Sequence, residues 1–256
     1  MIFVLGGRGL LGSAFLRVCE RRGLECAAIT RENYADFAGK RCAVFVNANG
    51  NSSKLLSRSE PVRDFDASVR SVRASVADFQ FDRYIHLSSC DVYPDCSSPR
   101  TTEESLALDP SRQSPYGFHK HLAELCVRHG ARHWNIFRLG GFVGPGLKKN
   151  AIFDILHGGP LWLHPDSALQ FLHTDRAAEI MLDVDAPNEI LNLCGRGVIQ
   201  LSEVVAMAGQ PVTVQPDSPT VRYEVSIEKI SALTDVPETR TAMREFVRSQ
   251  LANAPR

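Results

Sequence analysis

The stretch SPYGFHK, residues 114–120, sets a phenol and an amine four positions apart behind a Ser-Pro pair. On a helix, residues four apart share one face, so Tyr116 and Lys120 would point into the same space. A phenol ordinarily holds its proton until about pH 10 and is a poor acid–base group at neutrality, but a neighbouring cation favours the phenolate and draws that value down. Ser114 suits a helix cap and Pro115 a first turn, which would hold Tyr116 at a rigid helix start. A Tyr four before a Lys is also common on ordinary surface helices, so the pair takes its meaning from what accompanies it.

Two other stretches accompany it. After the apolar run IFVL comes GGRGLLG, then the helical run SAFLRVCERRG. Gly6, Gly9 and Gly12, with Leu10 and Leu11 between the last two, have the spacing that turns a strand tightly into a helix and brings backbone N–H groups up to a pyrophosphate. This strand-turn-helix context points to a dinucleotide. An NAD site usually carries a carboxylate about 20 residues further on, bonded to the adenosine ribose. Here Thr30 and Arg31 occupy that strand end and Arg8 sits within the glycine turn. Guanidinium groups suit a phosphate better than a diol, so NADP(H) is favoured. NAD(H) stays possible because Glu32 can take the ribose role, and either arginine also reads as a solvated turn residue. The third stretch is HLSSCDVYPD. Parallel sheets bind ligands at the carboxyl ends of their strands, which puts Ser88 and Ser89 on the rim where a nicotinamide would lie. Asp91 reads as a turn residue or as an acid.

The elements that must position these groups are legible from alternation. Short apolar runs at 2–5, 26–29, 43–47, 84–88 and 134–139 alternate with longer amphipathic ones, the pattern of parallel strands joined by crossover helices. The expected fold is α/β, a doubly wound parallel Rossmann sheet with a smaller C-terminal substrate-binding lobe. Phe65, Val69, Val72, Val76 and Phe79 form one apolar stripe at helical spacing, with Arg63, Arg70 and Arg73 off it. After GFVGPGLKK, prolines break the chain into short pieces. We read residues 1–145 as the dinucleotide-binding domain and 146–256 as the smaller lobe, partly interleaved with the main sheet through the strand-like runs ALQFLH and EILNLC.

Taken together, GGRGLLG, VNANGN, LSSCDVY, SPYGFHK, FRLGGFVGPG, FLHTDRAAEI and LNLCG make the chain resemble the extended short-chain dehydrogenase/reductase family of nucleotide-sugar epimerases, dehydratases and reductases. The resemblance implies Tyr116 as the proton-relaying group, Ser89 as its partner on the substrate oxygen and Lys120 on the nicotinamide ribose. It places Asn47, Ala48 and Asn49 beside the cofactor, and Cys90, Asp91 and Asn150 among the substrate contacts. Where dehydratases of the family carry an acid pair, this chain has Cys90 and Asp91. Local similarity to the GDP-fucose synthase branch also has a departure: its reactive cysteine falls at Asp91. An arginine that many members use on the substrate diphosphate is Leu169 here, leaving Lys148, Lys149 and Asn150 as alternative contacts or as a solvated loop. The implied activity is NADP(H)-dependent reduction of a keto group on a nucleotide-activated or related sugar. An epimerase with tightly held cofactor and a noncatalytic NAD(P)-sensing protein are the other readings.

Composition bounds the partners. Lys plus Arg and Asp plus Glu are 29 each, so no global field favours nucleic acid or a membrane surface, and a small molecule, with a homodimer as the assembly, is expected. Seven cysteines without a C-x-x-C pair suggest a reducing cytoplasm. No apolar run reaches the length of a membrane span, and the N-terminus reads as no secretory leader. His119, His121, His129 and His133 lack companions at metal-ligand spacing, so no metal is expected; they are read as solvent-facing or as helix caps.

Overall fold

The structure is a computed structural model and describes residues 1–253. The chain runs β1 (Ile2–Leu5), α1 (Leu10–Arg21), β2 (Cys26–Ile29), α2 (Tyr34–Phe37), β3 (Arg41–Asn47), α3 (Lys54–Ser59), α4 (Pro61–Phe65), α5 (Ser71–Asp78), β4 (Gln80–Leu87), α6 (Pro115–Gly130) and β5 (Trp134–Leu139). It continues through β6 (Gly141–Val143), α7 (Ala151–His157), β7 (Ala168–Leu169), β8 (Phe171–His173), α8 (Thr174–Asp183), β9 (Glu189–Leu193), β10 (Ile199–Gln200), α9 (Leu201–Ala208), β11 (Arg222–Tyr223), α10 (Glu228–Ser231) and α11 (Thr239–Asn253). No helix among the described residues is long and apolar enough to cross a membrane.

Six strands form one parallel sheet in the order β2-β1-β3-β4-β5-β9. Strand alternation sends successive side chains to opposite faces. Val4, Val46 and Ile85 meet α1 and α8 on one side, while Phe3, Phe45 and Tyr84 meet α5 and α6 on the other. The order reverses between β1 and β3, and the crevice at that switch point opens at the carboxyl ends, beside Gly6 and Asn47. Of the two late strand-like runs, only EILNL joins the main sheet, as β9. ALQFLH divides at Gln170, whose side chain bonds Val225 in both directions, and its halves serve two small sheets, β10-β7-β11 and β6-β8.

The expected stripe from Phe65 to Phe79 is interrupted. Between α4 and α5 the backbone makes one π-helical turn, Asp66–Arg70. The wider turn shifts the helical phase. Val69, Val72, Val76 and Phe79 stay buried, but Phe65 is 39% exposed while Asp64 and Ser68 rotate inward.

The glycine turn is built by close approach. Gly6 has φ +81°, open to glycine without strain. A Cβ on Gly12 would stand 2.1 Å from the Gly6 carbonyl oxygen, so α1 can start this near β1 only without a side chain there. Gly12→Ala should therefore lose about 1–3 kcal/mol of stability and weaken the binding of any dinucleotide at this turn at least tenfold, read by urea unfolding and fluorescence titration. Unchanged values in both would show that the turn tolerates a methyl group.

Candidate active site

The Ser-Pro start of α6 does what its residue types imply. Ser114 Oγ accepts from the Gly117 N–H at 3.1 Å, with Pro115 in the first turn. Tyr116 and Lys120 are both buried on one face, and Lys120 Nζ lies 5.7 Å from the centroid of the Tyr116 ring. A Cβ on Gly117 would meet the Asp91 carbonyl oxygen at 2.0 Å. Glycine thus lets the turn after β4 settle directly on the first turn of α6. That turn carries Ser89, whose Oγ accepts from the Asp91 N–H at 3.1 Å and donates to Asp91 Oδ2 at 3.2 Å. Ser89 also acts on the Tyr116 phenol in the sense that favours the phenolate. Serine, tyrosine and lysine therefore converge.

The electrostatics of the protein's own groups run opposite to the simplest reading of a cation beside a phenol. Burial is the main cause that pushes Tyr116 well above the usual tyrosine range; the Asp91 charge adds to it, Ser89 opposes it, and Asp64 contributes weakly. Lys120, itself desolvated, is pulled down to about 8 against the pull of Asp64, Glu124 and Asp91. Its ammonium makes no hydrogen bond or ion pair among the described residues and lies 3.5 Å from where a Cβ of Gly50 would be. Tyr116 is accordingly a phenol, a proton donor, until a bound group changes the field.

Behind these groups runs a buried polar chain. Ser88 donates to Glu124 Oε1 at 2.5 Å; Arg138 grips both Glu124 oxygens at 3.1 and 2.8 Å and donates to the Tyr93 hydroxyl at 2.9 Å. Tyr93 donates to Asn192 Oδ1 on β9 at 2.9 Å. A second cluster holds the loop after β3: Asp64 accepts from Asn51 at 2.9 Å and Ser68 at 3.0 Å, and lies 2.7 Å from His119 Nδ1. His119 is thus a buried partner of Asp64 rather than a solvent-facing residue, while His129 and His133 are exposed and His121 is half-buried beside Gln113. The signals for these missed residues were present: Glu124 stands one turn beyond Lys120, Arg138 interrupts an apolar strand, and Asp64 precedes the stripe by one place.

The remaining sequence candidates fall as follows. Arg8 and Arg31 are exposed at the end of the crevice, Arg8 reaching Glu32 at 3.5 Å. Asn47 is fully buried, donating to Ser75 at 3.0 Å and Tyr84 at 2.7 Å and accepting from the Asn49 N–H at 3.0 Å. The Ala48 carbonyl packs 2.8 Å from a Cβ position on Gly6, and Leu10 and Leu11 lean on the core beside α1. Cys90 is buried with Sγ 3.2 Å from the Arg138 carbonyl oxygen and 3.8 Å from Cys194 Sγ. Asn150 caps α7, its Oδ1 accepting from Ile152 and Phe153 and its Nδ2 donating to Phe142. Leu169 lies in the β7–β11 pairing opposite Tyr223. Lys149 donates to Ser52 Oγ, on the loop after β3, at 3.0 Å.

A nicotinamide dinucleotide fits this arrangement. The glycine turn presents bare backbone at the switch point, and an unpaired buried ammonium waits at the far end of the crevice. Such a parallel sheet with this Ser, Tyr and Lys set defines a Rossmann-type NAD(P)-dependent enzyme. Residues 2–182 match the NAD dependent epimerase/dehydratase family, and the chain belongs to that family. Among solved structures it is similar to a UDP-galactose 4-epimerase (20% identity, TM-score 0.78, 98% of each chain covered). It is also similar to MoeE5 in complex with UDP-glucose and NAD (18%, TM-score 0.80, 98% of this chain and 97% of that one). A third is RMD from Pseudomonas aeruginosa complexed with NADPH (14%, TM-score 0.79, 98% and 99%). A comparison with curated protein sequences found no match.

One buried group stands apart. His86 lies on β4 between Ile85 and Leu87, and neither ring nitrogen has a partner. Burial, with the Lys120 charge adding, lowers it from 6.5 to about 3. The unfolded chain takes up a proton below about pH 6.5 that the folded protein refuses until about pH 3. His86 therefore removes stability as pH falls through that window, by up to about 1.4 kcal/mol per unit, and has no such effect above it. His86→Leu should flatten the fall in unfolding free energy between pH 6.5 and 4.5; parallel curves for the two proteins would refute a neutral buried imidazole.

Proposed function

We propose that the protein is an NADP(H)-dependent reductase of a keto group on a nucleotide-activated sugar, and the convergence of Ser89, Tyr116 and Lys120 carries this reading. A nicotinamide held in the crevice would supply the hydride. Tyr116 would give its phenolic proton to the carbonyl oxygen, Ser89 would donate a hydrogen bond to the same oxygen, and Lys120 would hold the ribose hydroxyls. A phenol held in its protonated form suits a reaction that begins by donating a proton. Arg8 and Arg31 support the phosphorylated cofactor, Arg8 exchanging Glu32 for the 2′-phosphate. Nucleotide sugars appear in several of the similar structures, including complexes with UDP-glucose and UDP-glucuronic acid. With Leu169 in place of an arginine, Lys148 and Lys149 are the cations available to a diphosphate. Exposed Val62 and Phe65 of α4 and Leu125 of α6 support a homodimer through those helices, and seven free thiols support a reducing, cytoplasmic setting.

Tyr116→Phe should lower kcat by about 10²–10⁴-fold while leaving NADPH binding intact. Full retention of the protein's activity in that variant would favour the noncatalytic reading. Net consumption of NADPH with a ketosugar separates a reductase from an epimerase, which would return its cofactor unchanged. For cofactor choice, Arg31→Ser should raise the KM for NADPH about tenfold, the loss of one charge-assisted contact, with NADH unaffected. Equal effects on both would assign the position to a contact that the two cofactors share rather than to the 2′-phosphate.

A further inference from the structure

Asp91 is placed to recognise more than its own turn. Its Oδ2 lies 3.2 Å from Ser89 Oγ, and its Oδ1 lies 2.6 Å from Lys54 Nζ on α3. Lys54 Nζ stands 6.0 Å from the ring centroid of Tyr223, which comes from β11 of the second lobe. The carboxylate is thus held between Ser89 and Lys54, and its charge is felt by the phenols of Tyr116 and Tyr223. Nothing in the proposed proton transfer uses it.

We propose that Asp91, held by Lys54, is the specificity-determining acceptor for a hydroxyl or hydroxymethyl group next to the reacting carbonyl, and that it selects neutral sugars over sugar acids. The inference rests on the reading of Ser89 as the group that holds the reacting oxygen. An oxygen bonded to Ser89 brings the substituents of the neighbouring ring carbon to the Asp91 carboxylate. A carboxylate accepts hydrogen bonds and donates none, so the matching group must carry O–H. A sugar carboxylate in that place would meet a like charge in a partly desolvated crevice, where repulsion is far stronger than in bulk water. Lys54 does not cancel this preference. Its side chain is 60% exposed and that of Asp91 only 20%, so the cation is the better screened of the two and the anion faces the site.

The test first selects the nucleoside diphosphate from UDP, GDP, dTDP and CDP by thermal shift of the cofactor-loaded protein. Its neutral hexose conjugate and the corresponding uronic acid conjugate, UDP-glucose and UDP-glucuronic acid in the uridine case, are then titrated calorimetrically. The two ligands differ only in a hydroxymethyl against a carboxylate. Wild type should bind the neutral sugar at least tenfold more tightly. Asp91→Asn should bring the two within threefold, chiefly by tightening the uronate. Lys54→Met, which leaves the carboxylate without its cation, should widen the ratio. Opposite shifts in the two variants are an outcome that a merely structural turn residue would not give. Equal binding of both sugars by wild type, or equal weakening of both in Asp91→Asn, would overturn the inference while leaving the nucleotide-sugar reading standing. Absence of a shift with any nucleoside diphosphate would overturn that reading and this inference together.

Discussion

The buried ion pair between Glu124 and Arg138 is the constraint on which the site depends. Both side chains are almost fully buried, and desolvating two charges makes such a pair weak evidence for net stability. Its value lies in what it orients. Glu124 stands one turn beyond Lys120 and accepts from Ser88, the neighbour of Ser89; Arg138 lies on β5 and reaches Tyr93, at the far end of the same turn. One pair therefore ties the helix bearing the phenol and amine to the strand end bearing the hydroxyl. Removing either partner would strand an unpaired charge at a cost of about 3–5 kcal/mol, so the alternatives to this alignment are disfavoured. The chain of bonds goes on to Asn192, which also donates to the Thr102 and Ser226 carbonyls, so β9 and the segments around residues 102 and 226 are registered to the same pair.

Much of this was readable before any coordinates. The parallel strands announced themselves because strands covered on both faces are nearly continuous apolar runs, and IFVL, CAAI and WNIFRL match their observed bounds. The glycine turn was readable because close approach excludes every other residue type. Ser89, Tyr116 and Lys120 were readable because a strand end and a helix face each have a fixed geometry.

What escaped the sequence depends on contacts between distant segments. Periodicity assumes a constant 3.6-residue repeat, and the π turn at 66–70 breaks that assumption, turning Phe65 outward and Asp64 inward. His119 then becomes buried because Asp64 has arrived to meet it, an event that no local pattern around residue 119 encodes. The direction of the Tyr116 shift escaped for a related reason. Spacing identifies a neighbouring cation, but burial and the carboxylates of Asp91 and Asp64 come from elsewhere in the chain and outweigh it.

The paired shifts of Tyr116 and Lys120 share one physical origin. Desolvation disfavours charge on either group, so it raises the phenol and lowers the ammonium, and each moves towards its neutral form. The protein alone therefore leaves Lys120 titrating near neutrality and unable to favour the phenolate strongly. Hydrogen-bond acceptors brought up to Nζ would restore the ammonium, and with it the influence of Lys120 on Tyr116, because an unpaired buried cation gains most from a new partner. The acid strength of Tyr116 is then set by occupancy of the crevice rather than by the fold alone. Proton donation is thereby coupled to the acceptors that meet Lys120, because the protein's own groups favour a neutral phenol beside a weakened base.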